Sequence, residues 1–398
     1  MKCFKNATVY VEGKGLQKRN VYFEKRIEKI TRFFGKKAEE IVLPKDAIVL
    51  PGFIDQHIHG AGGSDAMDGT VNDLGVIAET LANEGTTGFL ATTMTQSKEN
   101  ILQALEAVKE YRLEKRTGAR LLGVHLEGPF ISAKHKGAQP LEYIVAPNIE
   151  TFQEYNEASG NAIKIVTLAP ELGTAKPLIE YLKEEGIVSS IGHTDAGYEN
   201  VVEAIKAGAS NVTHTYNAQK GLHHREIGVV GSAMLLDELQ CEMIADTIHV
   251  SVPAMRLMVK NKAKDKLTLI TDAMRAKGLP DGESELGGQK VYVKEGEARL
   301  EDGTLAGSVL QMNRAIQNMV EKVGVPYTQA VDYATINPAK TLKIEKECGS
   351  INVGKRADFA VLNANFDVIL TVIGGNIIYK NEDTMYSLKN KPYGYVRV

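Results

Sequence analysis

The sequence predicts an α/β protein: a (β/α)8 (TIM) barrel with a small β-sandwich domain built from both ends of the chain. First, eight short apolar runs alternate with stretches of helical periodicity through the middle of the chain. Second, β-rich segments occur near both termini. Third, 398 residues accommodate one barrel of about 250 residues plus additional material. Eight β/α alternations favour a closed parallel barrel over a doubly wound sheet.

The two chain ends carry the pattern of one shared β module. Residues 1–50 contain short alternating segments separated by Gly and charged turns, and residues 357–381 contain β-rich runs joined at Asn and at Gly374-Gly375. We expect the two ends to pair in one sheet. Residues 1–50 and 350–398 would then form a discontinuous domain around a catalytic barrel at 51–349.

Each apolar run of the middle region is predicted to be a barrel strand followed by a polar or ionisable cluster. The runs are AIVLPGFID, TTGFLATTM, RLLGVHLEG, AIKIVTLAP, GIVSSIGH, ASNVTHTYN, CEMIADTIH and KLTLITDAM. Helical periodicity, often ending at Gly, predicts helices at 72–84, 98–115, 174–185, 198–207, 253–263, 308–323 and 327–335. Two stretches without a clean pattern, 131–162 and 221–239, are predicted to be active-site loops. The Gly-rich residues 276–307 predict a β-hairpin-like insertion, a candidate lid.

Composition excludes several classes of protein. The formal net charge is −3, from 47 Lys+Arg and 50 Asp+Glu, which argues against a nucleic-acid partner. The three cysteines are far apart and form neither a disulfide framework nor a CxxC metal pattern. The N-terminus lacks signal-peptide organisation, and no apolar run reaches the roughly 18 residues that a membrane helix requires. We therefore expect a cytoplasmic protein without a membrane partner.

Ionisable residues follow several of the predicted strands. They are His57 and His59 after the first run, Glu127 in the third, His193 after the fifth, His214 in the sixth and Asp272 after the eighth. The carboxyl ends of barrel strands converge on the face where barrel enzymes build their active sites. The two-residue spacing of His57 and His59 points both imidazoles to one side of a strand. Imidazole and carboxylate suit Zn²⁺, Fe²⁺ or Mn²⁺, so the sequence predicts a metal site on this face.

The other histidines allow two interpretations each. His125 lies two residues before Glu127 and is predicted to point inward, where it either supports a ligand or packs in the core. His135, His223 and His224 fall in predicted loops, where they contact a ligand or are solvated.

Six segments carry a resemblance to a known family. PGFIDQHIHG, HLEGPFIS, SIGHTDAG, VTHTYNAQ, LITDAM and GSINVGKRADFAVL resemble the amidohydrolase superfamily, and within it the N-acetylglucosamine-6-phosphate deacetylase family. The likeness covers nearly the whole chain. HLEGPF followed by GHT and THxYNA is specific, because most superfamily members place a carboxylated Lys or a His where Glu127 stands. The resemblance implies a barrel of the metal-dependent hydrolase type and deacetylation of N-acetyl-D-glucosamine 6-phosphate in amino-sugar catabolism.

The resemblance also implies ligands for one or two divalent ions per chain, with Zn²⁺ or Fe²⁺ expected. Glu127, His193 and His214 would hold the main ion. His57 and His59 would hold a second ion bridged through Glu127, although some family members lack this pair and use a single metal.

Substrate contacts follow from the same resemblance. They are Ala138, Gln139, Asn217, Ala218, Arg225, His249, Leu305, Ala306 and Gly307. Two positions depart from the family pattern: Gln139 stands where His is common, and Thr247 where Gly is common. The contact made by Gln139 is therefore left open, and Thr247 would reshape the sugar pocket slightly.

Amide hydrolysis assigns a task to each group. A bound divalent ion would lower the pKa of water towards about 7 and polarise the carbonyl oxygen. Asp272 would take the proton from the attacking water and return it to the departing amine. His249 would donate to the carbonyl oxygen, and the planar guanidinium of Arg225 would bind the 6-phosphate. By resemblance, the Arg225 loop can reach a neighbouring subunit's pocket, which implies a homodimer.

Three other functions compete with this one. The galactosamine epimer is a close alternative substrate, because the pocket around one hydroxyl group cannot be derived from the sequence. A cyclic amidase or aminohydrolase of the same superfamily is disfavoured by the Glu of HLEGPF and by the Arg225 loop. An inactive amidohydrolase-like scaffold is disfavoured by the intact ligand set together with Asp272.

Overall fold

The protein is described by a computed structural model covering residues 1–33, 35 and 37–381. The part of the expected terminal domain at 382–398 lies outside the described residues. Eight parallel strands follow one another around the central sheet in chain order. They are β1 (Phe53–Ile58), β2 (Thr86–Thr92), β3 (Arg120–Glu127), β4 (Ile163–Leu168), β5 (Val188–Ile191), β6 (Asn211–Val212), β7 (Gln240–Ile244) and β8 (Leu267–Ile270).

Strands β8 and β1 close the barrel. The backbone N–H of Asp272, just after β8, donates to the carbonyl oxygen of His57 at 2.9 Å. Beside it, the Thr271 hydroxyl donates to the buried carboxylate of Asp55 on β1 at 2.5 Å. These bonds pair the two ends of the sheet, so the predicted fold class is confirmed.

Helices cover the outside of the barrel. They are Val71–Ala82, Lys98–Tyr111, Ile149–Ala158, Ala175–Glu184, Tyr198–Ala207, Gly228–Leu235, Val252–Asn261, Met312–Asn318, Tyr327–Tyr333 and Ile336–Thr341, with a π-helical turn at Met319–Val323. Short 3₁₀ turns lie at Ala66–Asp68, Ala133–His135 and Leu141–Tyr143. Among the described residues, no helix has the length and apolarity needed to cross a membrane.

The prediction that 131–162 and 221–239 are loops throughout is wrong, because each stretch contains a helix. Ile149–Ala158 buries only Phe152 and Tyr155, so its apolar periodicity is weak. The helix Gly228–Leu235 escaped prediction for the opposite reason. Its first six residues are all buried, and a helix that is apolar on every side shows no periodic apolar stripe in the sequence.

The chain ends form one mixed sheet. Its strands are Lys2–Val11, Gly15–Phe23, Ile27–Thr31, Glu39–Ile41, Ile48–Pro51, Phe359–Leu362, Val368–Ile373 and Asn376–Lys380. The ring centroids of Phe23 and Phe359 lie 5.0 Å apart, although two other strands lie between the strands that carry these residues in the sheet. Three strand spacings span about 14 Å in a flat sheet, so this sheet folds over on itself and encloses its own apolar core, as in a sandwich.

The segment after β8 is a three-stranded antiparallel sheet rather than a hairpin. Its strands are Gly282–Leu286, Gln289–Lys294 and Glu297–Leu300. Apolar side chains including Leu286 and Val291 pack against Met94 and Met274 of the barrel. The Gln289 amide also donates to the carbonyl oxygen of Ala138 at 2.6 Å. The inserted sheet is therefore held against the carboxyl face of the barrel.

Candidate active site

The carboxyl ends of the barrel strands bring the six ionisable residues together. His57 lies in β1 with His59 just after it, and Glu127 ends β3. The other three residues each lie two positions after a strand ends: His193 after β5, His214 after β6 and Asp272 after β8. His193, His214 and Asp272 adopt left-handed backbone conformations, with φ of 47°, 27° and 48°. Such conformations cost of order 1–3 kcal/mol in non-Gly residues and concentrate at functional sites.

Glu127 lies at the centre of the cluster. Its Oε1 is 3.0 Å from Nε2 of His214 and 3.3 Å from Nε2 of His193. Its Oε2 is 3.2 Å from Nε2 of His59, and His57 Nε2 is 3.4 Å from Oε1. One carboxylate thus contacts both pairs of imidazoles, the arrangement expected of a ligand that bridges two ions.

The Nδ1 atoms of the four imidazoles face oxygen atoms. Three of them face backbone carbonyl oxygens: His59 faces Thr92, His193 faces His135 and His214 faces Asn217, at 2.9–3.2 Å. The fourth, His57, faces the carboxylate of Glu242 at 3.2 Å. Each Nδ1 therefore carries the hydrogen, and each Nε2 is left to bind either a proton or an ion.

The donor set fits a divalent metal ion. Ligand atoms of Glu127, His193 and His214 all lie within 4.8 Å of one another, as do those of His57, His59 and Glu127. Nε2 of His57 is buried and makes no hydrogen bond within the described residues. Imidazole nitrogens and carboxylate oxygens suit first-row ions such as Zn²⁺ and Fe²⁺.

His125 does not face Glu127. Its Nδ1 contacts the carbonyl oxygen of Gln56 at 3.1 Å, and its Nε2 contacts the Thr167 hydroxyl at 2.7 Å. Burial and the neighbouring His57 lower the pKa of His125 to about 4, so this imidazole is neutral. It packs behind His57, with ring centroids 4.5 Å apart.

Electrostatic interactions within the cluster are strong. Burial by itself opposes a charged His57, but Asp272, Glu127 and Glu242 raise its pKa to about 9. Burial likewise opposes ionisation of Asp272, yet His57, His59 and His214 lower its pKa to about 2. The carboxylate of Asp272 is therefore ionised at neutral pH, with His57 and His59 as its ion-pair partners.

Metal uptake is expected to depend on pH. The pKa of His57 is raised to about 9 in the metal-free protein, so its imidazole is protonated below that pH, and an ion must displace the proton from Nε2. We expect the affinity for Zn²⁺ to rise from pH 6 to pH 9, with protons released on binding. Calorimetric titration in buffers of different ionisation enthalpy counts these protons. An affinity independent of pH over this interval, without proton release, would contradict the arrangement.

A cavity of about 360 Å³ opens above the cluster. His59, Glu127, His193, His214 and Asp272 line its floor. The inserted sheet and the segment after it supply one wall, through Leu286, Arg299, Thr304, Leu305 and Gly307. The volume suits a small-molecule ligand rather than a polymer.

The expected substrate contacts fall into three groups. The residues that line the cavity are Ala138, Gln139, Asn217, Ala218, His249, Leu305 and Gly307. Ala306 is fully buried behind this wall, in the apolar contact between the inserted sheet and the barrel. Arg225 lies on an exposed loop, where its guanidinium contacts His224 at 2.7 Å, and it is not among the residues that line the cavity.

Gln139 has a well-defined role in the cavity wall. Its amide nitrogen donates to Glu127 Oε2 at 2.9 Å, and its amide oxygen accepts from the backbone N–H of Thr95 at 2.7 Å. The side chain is 3% exposed. Gln139 thus orients the central carboxylate.

Sequence reasoning missed several residues of the site. Glu242 and Asp246 hold His57 and His249 by their Nδ1 atoms, at 3.2 and 2.6 Å. Arg299 reaches the cavity from the inserted sheet. Both carboxylates belong to the run CEMIADTIH, the seventh predicted barrel strand. Their position in that strand and just after it was the feature of the sequence that could have identified them.

Comparison with known proteins agrees with this geometry. The model of the amidohydrolase family matches residues 48–378. The chain belongs to this family. The Bacillus subtilis (strain 168) N-acetylglucosamine-6-phosphate deacetylase is 46% identical over 349 residues, covering 87% of this chain and 88% of the relative. The Escherichia coli O157:H7 N-acetylgalactosamine-6-phosphate deacetylase is 37% identical over 84% of this chain and 89% of the relative.

A solved structure extends the likeness to the whole fold. The crystal structure of the Pasteurella multocida N-acetylglucosamine-6-phosphate deacetylase superposes with a TM-score of 0.90 at 31% identity, covering 96% of this chain and 100% of that one. The barrel and its terminal β sheet therefore belong to the architecture of this family, and the resemblance found in the sequence is confirmed.

Proposed function

We propose that this amidohydrolase removes the acetyl group of N-acetyl-D-glucosamine 6-phosphate, giving D-glucosamine 6-phosphate and acetate. The observation that carries the proposal is the bridging contact of Glu127 with four imidazoles, with Asp272 beside them at the floor of a small cavity. The names of the Bacillus subtilis and Pasteurella multocida relatives support the substrate. We assign Zn²⁺ or Fe²⁺ to the ligand cluster.

Glu127, His193 and His214 would hold one ion, and His57 and His59 a second that shares Glu127. A divalent ion held there would supply an activated water, by lowering its pKa, and would polarise the amide carbonyl. Asp272 Oδ1 lies 3.3 Å from Nε2 of His59, at the edge of the cluster, and the residue lines the cavity. This carboxylate takes the proton of the attacking water and returns it to the nitrogen as the C–N bond breaks.

His249 is proposed to donate a hydrogen bond to the carbonyl oxygen. Its Nδ1 lies 2.6 Å from the Asp246 carboxylate, which accepts the hydrogen of that nitrogen. With Nδ1 held in this way, a hydrogen on Nε2 would donate to the carbonyl oxygen of a substrate in the cavity that His249 lines. Asp246 therefore prepares His249 to stabilise negative charge developing on the substrate oxygen.

The 6-phosphate is assigned to Arg225, reaching the cavity of a second copy in a homodimer. Arg225 is exposed and does not line the cavity of its own chain, which supports this assignment. We expect Arg225→Ala to raise KM for the phosphorylated substrate roughly 10- to 100-fold, because a hydrogen bond to a charged group is lost, and to leave slow turnover of N-acetylglucosamine unchanged.

Arg299→Ala is the matched variant for this experiment. Among the described residues that line the cavity, Arg299 is the one Lys or Arg side chain, and it pairs with Glu297 at 2.8 Å. A loss of phosphate discrimination in Arg299→Ala but not in Arg225→Ala would contradict the role given to Arg225. Light scattering of the purified protein tests the homodimer, and fractionation of the source cells tests the proposed cytoplasmic location.

N-Acetylgalactosamine 6-phosphate is the second candidate substrate, because the Escherichia coli O157:H7 relative carries that name. The higher identity of the Bacillus subtilis relative favours the glucosamine epimer. Comparison of kcat/KM for the two phosphorylated sugars decides between them. A higher value for the galactosamine epimer would reverse the assignment.

A further inference from the structure

Glu242 is a fully buried carboxylate on β7, behind the ligand cluster. Its Oε2 accepts hydrogen bonds from Nδ1 of His57 at 3.2 Å and from the backbone N–H of His214 at 3.3 Å. Its Oε1 accepts from the side-chain amides of Gln56 at 2.7 Å and Asn211 at 3.2 Å. Four donors match the four lone-pair positions of a carboxylate, so Glu242 is held as an anion without exposure to solvent.

This arrangement fixes the orientation of His57. An ionised carboxylate only accepts hydrogen bonds, so Nδ1 of His57 carries a hydrogen and Nε2 is the nitrogen left to bind a proton or a metal ion. Nε2 points to the cluster, 3.4 Å from Glu127 Oε1 and 3.4 Å from Asp272 Oδ1. His59, His193 and His214 have backbone carbonyl oxygens as their Nδ1 partners, whereas His57 has a carboxylate. A carboxylate partner makes an imidazole a stronger metal ligand.

Glu242 also connects the two ligand sets. The same oxygen that accepts from His57 accepts from the backbone of His214, whose φ of 27° is strained. We propose that Glu242 is the positioning residue that prepares His57 to hold a second metal ion. The proposal rests on the metal-dependent function given above. It means that Glu242, which is not itself a proposed ligand, determines whether the cluster holds one ion or two.

Glu242→Gln tests the proposal through metal content. Wild-type protein is stripped, reloaded with Zn²⁺ and titrated against a chelating indicator. We expect two ions in the wild type; in the variant the first ion is retained and the second binds about 10- to 100-fold more weakly, the usual cost of losing such a partner. Glu84→Gln is the matched control, because Glu84 is a buried carboxylate that pairs with Lys277 at 2.7 Å and not with a ligand. The control is expected to bind both ions as the wild type does.

Two results would overturn the proposal: a wild type that binds one ion, or a folded Glu242→Gln variant that binds both with wild-type affinity. A wild type that binds no ion would instead overturn the proposed function. Nitrogen NMR of ¹⁵N-histidine-labelled wild type tests the orientation without any change at Glu242. We expect His57 to carry hydrogen on Nδ1 and metal on Nε2; the reverse would contradict the role of Glu242 even if the variant does not fold.

Discussion

Replacing Asp272 with asparagine is expected to lower kcat by about 10³- to 10⁴-fold while the metal content stays unchanged. The carboxylate lies at the edge of the cluster, 3.3 Å from His59 Nε2 and 3.4 Å from His57 Nε2, and its lowered pKa, about 2, keeps it ionised. An asparagine amide of the same size can neither accept the proton of the attacking water nor return it to the amine, and general acid–base catalysis contributes up to about 10⁴-fold. Metal analysis and amine release measure the two effects.

The matched control for this variant is Asp358→Asn. Asp358 is also buried, but it pairs with Arg120 at 3.1 Å and does not line the cavity. It should retain wild-type turnover if it folds. Near-normal turnover in Asp272→Asn, with metal bound, would remove Asp272 from the proton-transfer steps.

Replacing Glu127 with glutamine should affect metal binding and activity together. Glu127 contacts all four imidazoles of the cluster, and in the metal-free protein these groups lower its pKa well below the usual range despite burial. A neutral amide removes the shared negative charge that would hold both ions. Loss of several kcal/mol of transition-state stabilisation corresponds to a fall in kcat/KM of roughly 10³-fold or more.

Gln139→Leu provides a graded comparison, because it leaves Glu127 in place but removes the hydrogen bond from Gln139 to Glu127 Oε2, together with the one that Gln139 accepts from the Thr95 backbone N–H. Its metal content should lie between those of the wild type and Glu127→Gln. A Glu127→Gln variant that retains both ions and full activity would contradict the assignment of Glu127 as their shared ligand.

The barrel strands and the cluster could be derived from the sequence because both are local patterns. Strands such as Ile163–Leu168 are short apolar runs, and parallel strands necessarily bring their carboxyl ends together. That rule alone predicts that His57, Glu127 and Asp272 lie near one another. The folded-over terminal sheet followed from β-rich runs at both ends of the chain.

Other features depend on contacts that no local pattern encodes. Glu242 and His57 are 185 positions apart in the sequence, and their contact depends on closure of the barrel, which brings the side chain of Glu242 on β7 to that of His57 on β1. The first six residues of the helix Gly228–Leu235 are all buried, so it lacks the periodicity that identifies surface helices. The family resemblance placed Ala306 among the substrate contacts together with its neighbours Leu305 and Gly307, but only those two line the cavity, and the side chain of Ala306 is buried in the core.

The central claim is that a divalent ion bound by this cluster enables deacetylation of an amino-sugar phosphate. The most direct measurement removes metal with a chelator, reloads the protein stepwise with Zn²⁺ or Fe²⁺, and follows amine release from N-acetylglucosamine 6-phosphate. We expect no turnover without metal and recovery in proportion to the ion bound. Turnover by metal-free protein, or none at full metal occupancy, would contradict the claim.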